Sequence, residues 1–275
     1  MKGLNNMKLT VDYVSDLHLN HHCPFSHNQE KWKRLTVAWA NKLLQDATGE
    51  VLIVAGDFSE WNVQTQWFLE ECSKHYDRVF ITAGNHDYYL LSNNQREKYK
   101  DHSRHRQQSR VRLEEMFNHA SQLPNVTVLH GNVVTYNGFV FGGHSLWYKP
   151  TSYFDEEWYN NFSNDRRFIS VGRRYPQENY DILFDEAVAW YNTQKDTVFD
   201  VFVSHVPPVD PLGRKNPNSC YVATLPFLVD TKYWVCGHQH EQVRFKEQGV
   251  QFLMNPIGYP DEDNYQNLRS FTLEK

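Results

Sequence analysis

The chain has 275 residues, of which 40% are apolar and 15% aromatic, and its formal net charge is −5. This length and apolar content suit one large sheet-based domain over residues 1–275. The acidic balance argues against a general nucleic-acid coat or a membrane-surface protein. No apolar stretch typical of a signal peptide precedes Asp12, and no segment approaches the ~20 apolar residues of a membrane span. We therefore expect no membrane partner. Four dispersed cysteines without a CxxC pair favour a reducing, cytoplasmic setting.

The first half of the chain alternates segments typical of strands and helices. Strand patterns occur in KLTVDYVSD (8–16), EVLIVAGD (50–57) and DRVFITAGN (77–85). The EVLIVAGD segment is continuously apolar, as in a strand buried on both faces. Apolar residues at helical spacing between Trp32 and Leu43, and again in 66–76, predict the intervening helices. This order predicts parallel strands with right-handed crossovers.

The middle of the chain has a different pattern. Residues 95–122 are polar, partly basic and predicted to be helical. Residues 125–148 predict strands joined by turns, with a hairpin at Tyr136–Gly138. Residues 150–177, rich in aromatic and polar side chains, are expected to be irregular, and 178–194 predict a helix. The last third returns to short β-rich segments separated by turns.

Polar side chains follow five of the predicted strands at the point where each strand ends. In order they are Asp16 and His18, Asp57, Asn85 with His86 and Asp87, His205, and His238 with His240. Each short motif alone is typical of a turn, but sites in open α/β sheets gather outside the carboxyl ends of the strands. Asp, His and Asn are donors for divalent metals, and clustering them without cations would be costly. Asp57 stands alone after its strand and is the expected bridge between two ions.

The ordered set DxH … GD … GNHD … H … GHxH, from Asp16 to His240, resembles the calcineurin-like metallophosphoesterase superfamily. The segments NPIGYP (255–260) and GGHSLWY (142–148) resemble parts of small, stand-alone bacterial and phage-type members. The resemblance implies an α/β fold, a four-layer αββα sandwich with two mixed β-sheets. It also implies a dinuclear metal site at the carboxyl-terminal edge of the strands.

The same resemblance implies a ligand set for each of two divalent ions. The first ion would be held by Asp16, His18, Asp57 and His240. The second ion would be held by Asp57, Asn85, His205 and His238. Four protein ligands for each ion leave room for water. Manganese is the first expectation, and iron, zinc and nickel suit the same donors.

Roles for the remaining site residues follow from the matched motifs. The resemblance implies catalytic roles for Asp57 and for His86, the latter as general acid for the leaving oxygen or as a cation beside the phosphoryl group. Many relatives have GDxxD, whereas this chain has GDFSE, so either Glu60 or Asp87 is a candidate for orienting His86. His144 stands where many similar proteins have a small residue and is a candidate for substrate binding, although a core or surface histidine is the more frequent case.

The implied reaction is hydrolysis of a phosphate ester by attack of a metal-bridging hydroxide. A phosphodiester or nucleotide is the expected substrate. A phosphomonoesterase is one alternative, and a nuclease or nucleic-acid-binding protein that uses the basic stretch 98–112 is another. An intact ligand set argues against a vestigial site. Residues 95–122 and 147–177 are possible substrate-facing insertions, with Arg166 and Arg167 as candidates for substrate binding, and an ordinary surface helix or loop is an equal alternative for each. The sequence indicates no oligomeric state.

Overall fold

A computed structural model describes residues 7–100, 108–172 and 178–275. Its strands are β1 (Lys8–Val14), β2 (Val51–Ala55), β3 (Arg78–Thr82), β4 (Val126–Val128), β5 (Asn132–Tyr136), β6 (Phe139–Gly143), β7 (Val198–Val203), β8 (Asp230–Cys236), β9 (Arg244–Glu247), β10 (Val250–Met254) and β11 (Arg269–Glu274). Its α-helices are α1 (Leu19–His22), α2 (Gln29–Leu44), α3 (Asn62–His75), α4 (Asn93–Lys98), α5 (Gln108–Ser121), α6 (Tyr153–Phe162), α7 (Asn164–Phe168) and α8 (Glu178–Asn192). Short 3₁₀ turns cover His86–Tyr88 and Ser219–Tyr221.

The strands form two mixed sheets, as predicted. The first has the order β11-β1-β2-β3-β4 and the second β5-β6-β7-β8-β10-β9. Strands β1 to β4 run parallel, and β11 is antiparallel at the edge. In the second sheet β6, β7, β8 and β10 run parallel, and the edge strands β5 and β9 are antiparallel. The site-bearing strands β1, β2 and β3 are therefore neighbours, and so are β7 and β8.

Alternation along the strands produces four layers. Ile53 and Phe80 of the first sheet belong to one buried cluster with Phe141 and Val203 of the second, which fills the space between the sheets. Their neighbours along the strands, such as Val54, belong to another cluster that includes apolar side chains of α2, α3 and α8. Because successive side chains of a strand point to opposite faces, continuously apolar strands are covered on both sides. The predicted αββα sandwich is confirmed.

Most of the predicted elements are present, with one clear error. The hairpin between β5 and β6 turns at Asn137 and Gly138, both at positive φ, as a tight two-residue turn requires. The prediction that residues 150–177 are irregular was wrong, because α6 and α7 lie there. The side chains of Ser152 and Ser163 cap these helices by accepting the amides of residues 155 and 165. The sequence signal that could have predicted these two helices was the capping serine before each one, and not apolar periodicity.

The predicted helix 95–122 is divided between α4 and α5, and its basic residues Arg104 and Arg106 lie outside the described residues, as do Arg173 and Arg174. In the part of the chain that the structure describes, no helix has both the length and the apolar character needed to cross a bilayer.

Candidate metal centre

Side chains from five loops converge at one edge of the sandwich. The loops follow β1, β2, β3, β7 and β8, and the seven predicted ligands on them are Asp16, His18, Asp57, Asn85, His205, His238 and His240. Parallel neighbouring strands bring their carboxyl ends to the same edge, which explains why residues more than two hundred positions apart are adjacent.

One group of donors contains Asp16, His18 and His240, whose candidate ligand atoms all lie within 4.8 Å of one another. The Nε2 atoms of His18 and His240 are 3.1 Å apart. Oδ1 of Asp16 is 3.5 Å from Nε2 of His240. One carboxylate oxygen and two imidazole nitrogens therefore face a common point.

The other group surrounds Asn85. Its Oδ1 is 3.0 Å from Nε2 of His205 and 3.1 Å from Nδ1 of His238. Asp57 lies between the two groups, because its Oδ2 is 3.4 Å from Nε2 of His205 and 3.8 Å from Nε2 of His18. This is the place that a carboxylate bridging two ions would occupy.

The donors fit a pair of divalent cations. Three of the histidines use their second ring nitrogen for a contact outside the centre: Nδ1 of His205 with the Ala55 carbonyl, Nε2 of His238 with the Cys220 carbonyl, and Nδ1 of His240 with the Glu262 carboxylate. Such contacts fix a metal-binding histidine and leave the other nitrogen for the ion. Buried imidazole, carboxylate and amide donors of this kind suit borderline and hard divalent metals.

Backbone strain is concentrated at this centre. Asp16, His18, Asp57, His238 and His240 all have positive φ, between 40° and 72°. Residues with a side chain rarely adopt this left-handed conformation, and where they do the strain is often found at functional sites. The strain here turns each side chain inward immediately after its strand.

Two positions in the metal-binding motifs require glycine, one before Asn85 and one before His238. A Cβ on Gly84 would lie 2.1 Å from Oδ1 of Asp57, and one on Gly237 would lie 2.3 Å from Oδ2 of Asp16. Either contact is far inside van der Waals distance, so the loop after one strand can approach the carboxylate of another only where the side chain is absent.

Glu60, and not Asp87, contacts the ring of His86. Oε1 of Glu60 is 2.6 Å from Nδ1 of His86. Asp87 instead accepts the backbone amides of Asp57, Phe58 and Gly84 at 2.8–3.1 Å, so it joins the loops after β2 and β3. The structure therefore favours Glu60 for the orienting contact and gives Asp87 a role in holding the backbone.

The charges of the metal-free site compensate one another. Burial disfavours the carboxylate of Asp16, but its hydrogen bond with His240 and the charges of His205 and His240 lower its pKa to about 2. Burial also opposes a charge on His205, yet the neighbouring Asp57 and Asp16 raise its pKa to about 10. Burial likewise works against a proton on His86, while the carboxylates of Asp57 and Glu60 outweigh it and raise the pKa. Two buried carboxylates thus need positive charge around them.

A cavity of about 360 Å³ opens beside the donors. Its floor includes Asp57, Asn85, His86, His238 and His240. Six aromatic side chains form the aromatic part of its wall, Tyr89, Tyr148, Trp158, Phe162, Tyr221 and Tyr259, and the remaining lining is mostly polar. A substrate could place a polar group on the donors and an apolar group against the wall.

Three side chains predicted to bind substrate lie away from this cavity. His144 stacks between His130 and Trp190, at ring-centroid distances of 4.3 and 5.5 Å, and lines a different cavity. Arg166 and Arg167 follow Asn164 and Asp165 on α7, and of this helix only Asn164 and Asp165 line the cavity. None of the three is among the described residues that line this cavity, and their role in substrate binding stays a prediction.

Several site residues had no signal in the sequence motifs. Asp165 accepts a hydrogen bond from the amide of Asn85, Glu262 contacts His240, and Tyr259 stacks on His18 at 4.5 Å. Tyr259 lay in the segment NPIGYP and Asp165 in the possible substrate-facing insertion 147–177, but neither residue was named from the sequence, and Glu262 lay in no segment that was singled out. The buried Arg112 donates to the carbonyls of Ser59, His86 and Asp87, so the described part of 95–122 supports the site from behind and does not line the cavity.

A sandwich of two sheets with carboxylate and imidazole donors at one edge defines a metal-dependent hydrolase. The model of the calcineurin-like phosphoesterase family matches residues 9–242, and the chain belongs to this family. It is 21% identical over 276 residues to an uncharacterized protein, L509, of Acanthamoeba polyphaga mimivirus, with 92% of each chain covered. Its fold is similar to the crystal structure of the phosphopantetheinyl hydrolase PptH from Mycobacterium tuberculosis, with a TM-score of 0.67, 18% identity and 95% of each chain covered.

Proposed function

We propose that the chain is a dinuclear metal-dependent phosphodiesterase that cleaves a small phosphodiester, such as a nucleotide ester. The observation that carries this proposal is the composition of the cavity. Its described lining combines metal donors with six aromatic side chains and includes no lysine or arginine. Among the described residues, the features that support substrate recognition are therefore the metal donors and the aromatic rings.

The number of charges on the substrate favours a diester over a monoester. A phosphodiester carries one negative charge at neutral pH, whereas a phosphomonoester carries close to two, since its second pKa is about 6. The cavity already contains the carboxylates of Asp57, Asp165 and Glu262. A second phosphoryl charge would have to be balanced without a described guanidinium or ammonium group, while a diester replaces that charge with an uncharged ester group that can pack on the aromatic wall.

His86 is the proposed proton donor. Divalent cations bound at the donors would supply an activated water and neutralise developing charge on the phosphoryl oxygens. The His86 ring is held at Nδ1 by Glu60, and its Nε2 is 3.4 Å from the hydroxyl of Tyr259 at the cavity. With Nδ1 held by Glu60, Nε2 of His86 is directed to the cavity, where it is placed to give a proton to the leaving oxygen; in the metal-free site the carboxylates of Asp57 and Glu60 raise the pKa of His86. Manganese is the proposed native metal, with iron, zinc and nickel as the alternatives for the same donors.

The described basic residues of 98–112 do not form a free cationic face for nucleic acid. Lys98 pairs with Glu115 at 2.9 Å, Lys100 with Glu97 at 3.3 Å, and Arg110 with Glu186 at 2.7 Å. Arg112 is fully buried. A small substrate is therefore favoured over a nucleic-acid backbone. The four buried, unpaired cysteines support a reducing compartment such as the cytoplasm.

The test compares bis-p-nitrophenyl phosphate with p-nitrophenyl phosphate in the presence of Mn²⁺. We expect a higher kcat/KM for the diester, and still higher for the p-nitrophenyl ester of thymidine 5′-monophosphate, whose base adds a ring for the aromatic wall. Metal analysis of the same preparation should find about two ions per chain. A preference for the monoester would overturn the proposal in favour of a phosphatase.

A further inference from the structure

Asp165 makes an unusual set of contacts next to the metal donors. It is only 4% exposed and belongs to the first turn of α7. Its Oδ1 accepts a hydrogen bond from Nδ2 of Asn85 at 2.9 Å and another from the hydroxyl of Tyr89. Its Oδ2 accepts one from the hydroxyl of Tyr148. Both carboxylate oxygens are thus occupied by donors of the site wall.

This contact determines which way round the Asn85 amide lies. An asparagine side chain presents a donor NH₂ group on one side and an acceptor oxygen on the other. A carboxylate can only accept, so the side facing Asp165 must be the NH₂ group, and a flipped amide would place two oxygens in repulsive contact. The Asn85 oxygen is consequently directed at His205 and His238, at 3.0 and 3.1 Å.

Asp165 is also linked, through Tyr148, to a second candidate metal ligand, His238. The ring of Tyr148, which donates to Asp165, stacks against His238 with centroids 5.9 Å apart and an interplanar angle of 20°. Asn85 and His238 both belong to the group of donors on the far side of Asp57 from His18. In contrast, the direct polar partners of Asp165 among the described residues include none of Asp16, His18 and His240.

We propose that Asp165 is a positioning residue that fixes Asn85 as an oxygen ligand, so that docking of α6 and α7 completes one of the two metal positions. The inference rests on the metal centre of the proposed function. It assigns the segment 147–172 a second role besides lining the cavity, because α6 carries Trp158 and Phe162 and the adjoining α7 carries the carboxylate that orders a ligand.

The experiment measures metal binding rather than turnover. Metal-free wild type, Asp165→Ala and Asp165→Asn would be titrated with Mn²⁺ by calorimetry, and the spin-coupled signal of a Mn²⁺ pair would be followed by electron paramagnetic resonance. Loss of a residue that orients a metal ligand typically lowers metal affinity about 10–100-fold. We expect this loss for one of two ions in Asp165→Ala, with the coupled signal absent at Mn²⁺ concentrations that saturate the wild type. Asp165→Asn keeps one acceptor oxygen and should show a smaller loss.

Glu157→Ala is the matched control, because Glu157 is an exposed acid on α6 whose side chain accepts a hydrogen bond from Asn161 one turn away. It should bind two ions as the wild type does. Thermal unfolding of the metal-free proteins separates a local effect from misfolding, and Asp165→Asn provides the measurement if Asp165→Ala does not fold. Unchanged binding of both ions in a folded Asp165 variant, or equal weakening of both, would overturn the inference. Wild type that binds two ions without cleaving diesters would overturn the proposed function alone.

Discussion

Oε1 of Glu60 lies 2.6 Å from Nδ1 of His86, and both side chains are almost completely buried. The contact holds the imidazole with Nε2 towards the cavity, where the hydroxyl of Tyr259 is 3.4 Å away. Glu60 also contributes to the raised pKa of His86, after Asp57, against the opposing effect of burial. The Glu60 carboxylate thus orients the imidazole of His86 and favours its protonated form.

Replacing His86 should impair proton donation without emptying the site. We expect His86→Ala to lower kcat about 10²–10⁴-fold, the usual contribution of general acid–base catalysis, with little change in bound metal. The loss should be smaller for bis-p-nitrophenyl phosphate than for diphenyl phosphate, because nitrophenolate leaves readily without a proton. Steady-state kinetics and metal analysis of the same samples provide the check. Glu60→Gln should lower kcat less than His86→Ala does, again with little change in bound metal. A parallel loss of metal and activity in His86→Ala would contradict the role of His86 as general acid.

Asp57 should be required for both ions. Its Oδ2 lies between His205 and His18, so Asp57→Ala removes a carboxylate placed between the two groups of donors. Metal content should fall from about two ions towards none. Asp12→Ala is the control, because Asp12 is an equally buried acid of the same sheet that contacts Thr48, Gly49 and Tyr76 instead. It should lower stability and keep the metal. An Asp57→Ala protein with two tightly bound ions would refute the bridging position.

Arg112 should stabilise the site from behind. Its guanidinium is fully buried and donates to the carbonyls of Ser59, His86 and Asp87. Arg112→Ala leaves these carbonyls without the donor, and a buried polar group without a partner costs about 1–3 kcal/mol, so the free energy of unfolding should fall by several kcal/mol.

Arg110, two residues away, is the comparison. Its pair with Glu186 lies near the surface, with side chains 25% and 54% exposed, so Arg110→Ala should change the free energy of unfolding by about 0–1 kcal/mol. Urea unfolding of both variants provides the measurement. If the two variants lost the same free energy of unfolding, the buried Arg112 guanidinium would contribute no more stability than the Arg110 pair, and the prediction would be wrong.

The metal donors could be predicted from the sequence because each signal was local. An apolar run that ends shortly before Asp57 or His205 indicates a buried strand followed by a polar side chain. Because neighbouring parallel strands end at the same edge of a sheet, these side chains are then expected to lie together. The order of the motifs along the chain was enough to group them, although nothing in the sequence gave the distances or the strained backbone.

The supporting residues could not be predicted in this way. Asp165 reaches Asn85 across 80 positions, and Arg112 reaches Ser59 across 53. The segments that contain them, 147–177 and 95–122, were identified only as possible substrate-facing insertions or ordinary surface segments, and charged side chains are rarely buried unless paired. The same limitation applies to His144, which was a candidate because many similar proteins have a small residue at its position, whereas its ring stacks with His130 and Trp190. Long-range pairing is decided by packing, which local patterns do not encode.

The aromatic wall should determine affinity for the leaving group. Phe154, Trp158 and Phe162 follow one another at four-residue spacing on α6, so they share one face of the helix. Phe162 lines the cavity and Phe154 does not, although both residues are largely exposed, at 71% and 81%.

Burying the Phe162 ring against an aryl or nucleoside group would contribute about 1–2 kcal/mol by apolar area, which corresponds to roughly a 5–30-fold rise in KM on its removal. Phe162→Ala should show that rise for the thymidine ester with kcat largely kept, while Phe154→Ala should match the wild type. A KM that changes equally in the two variants, or in neither, would contradict the placement of the leaving group on this wall.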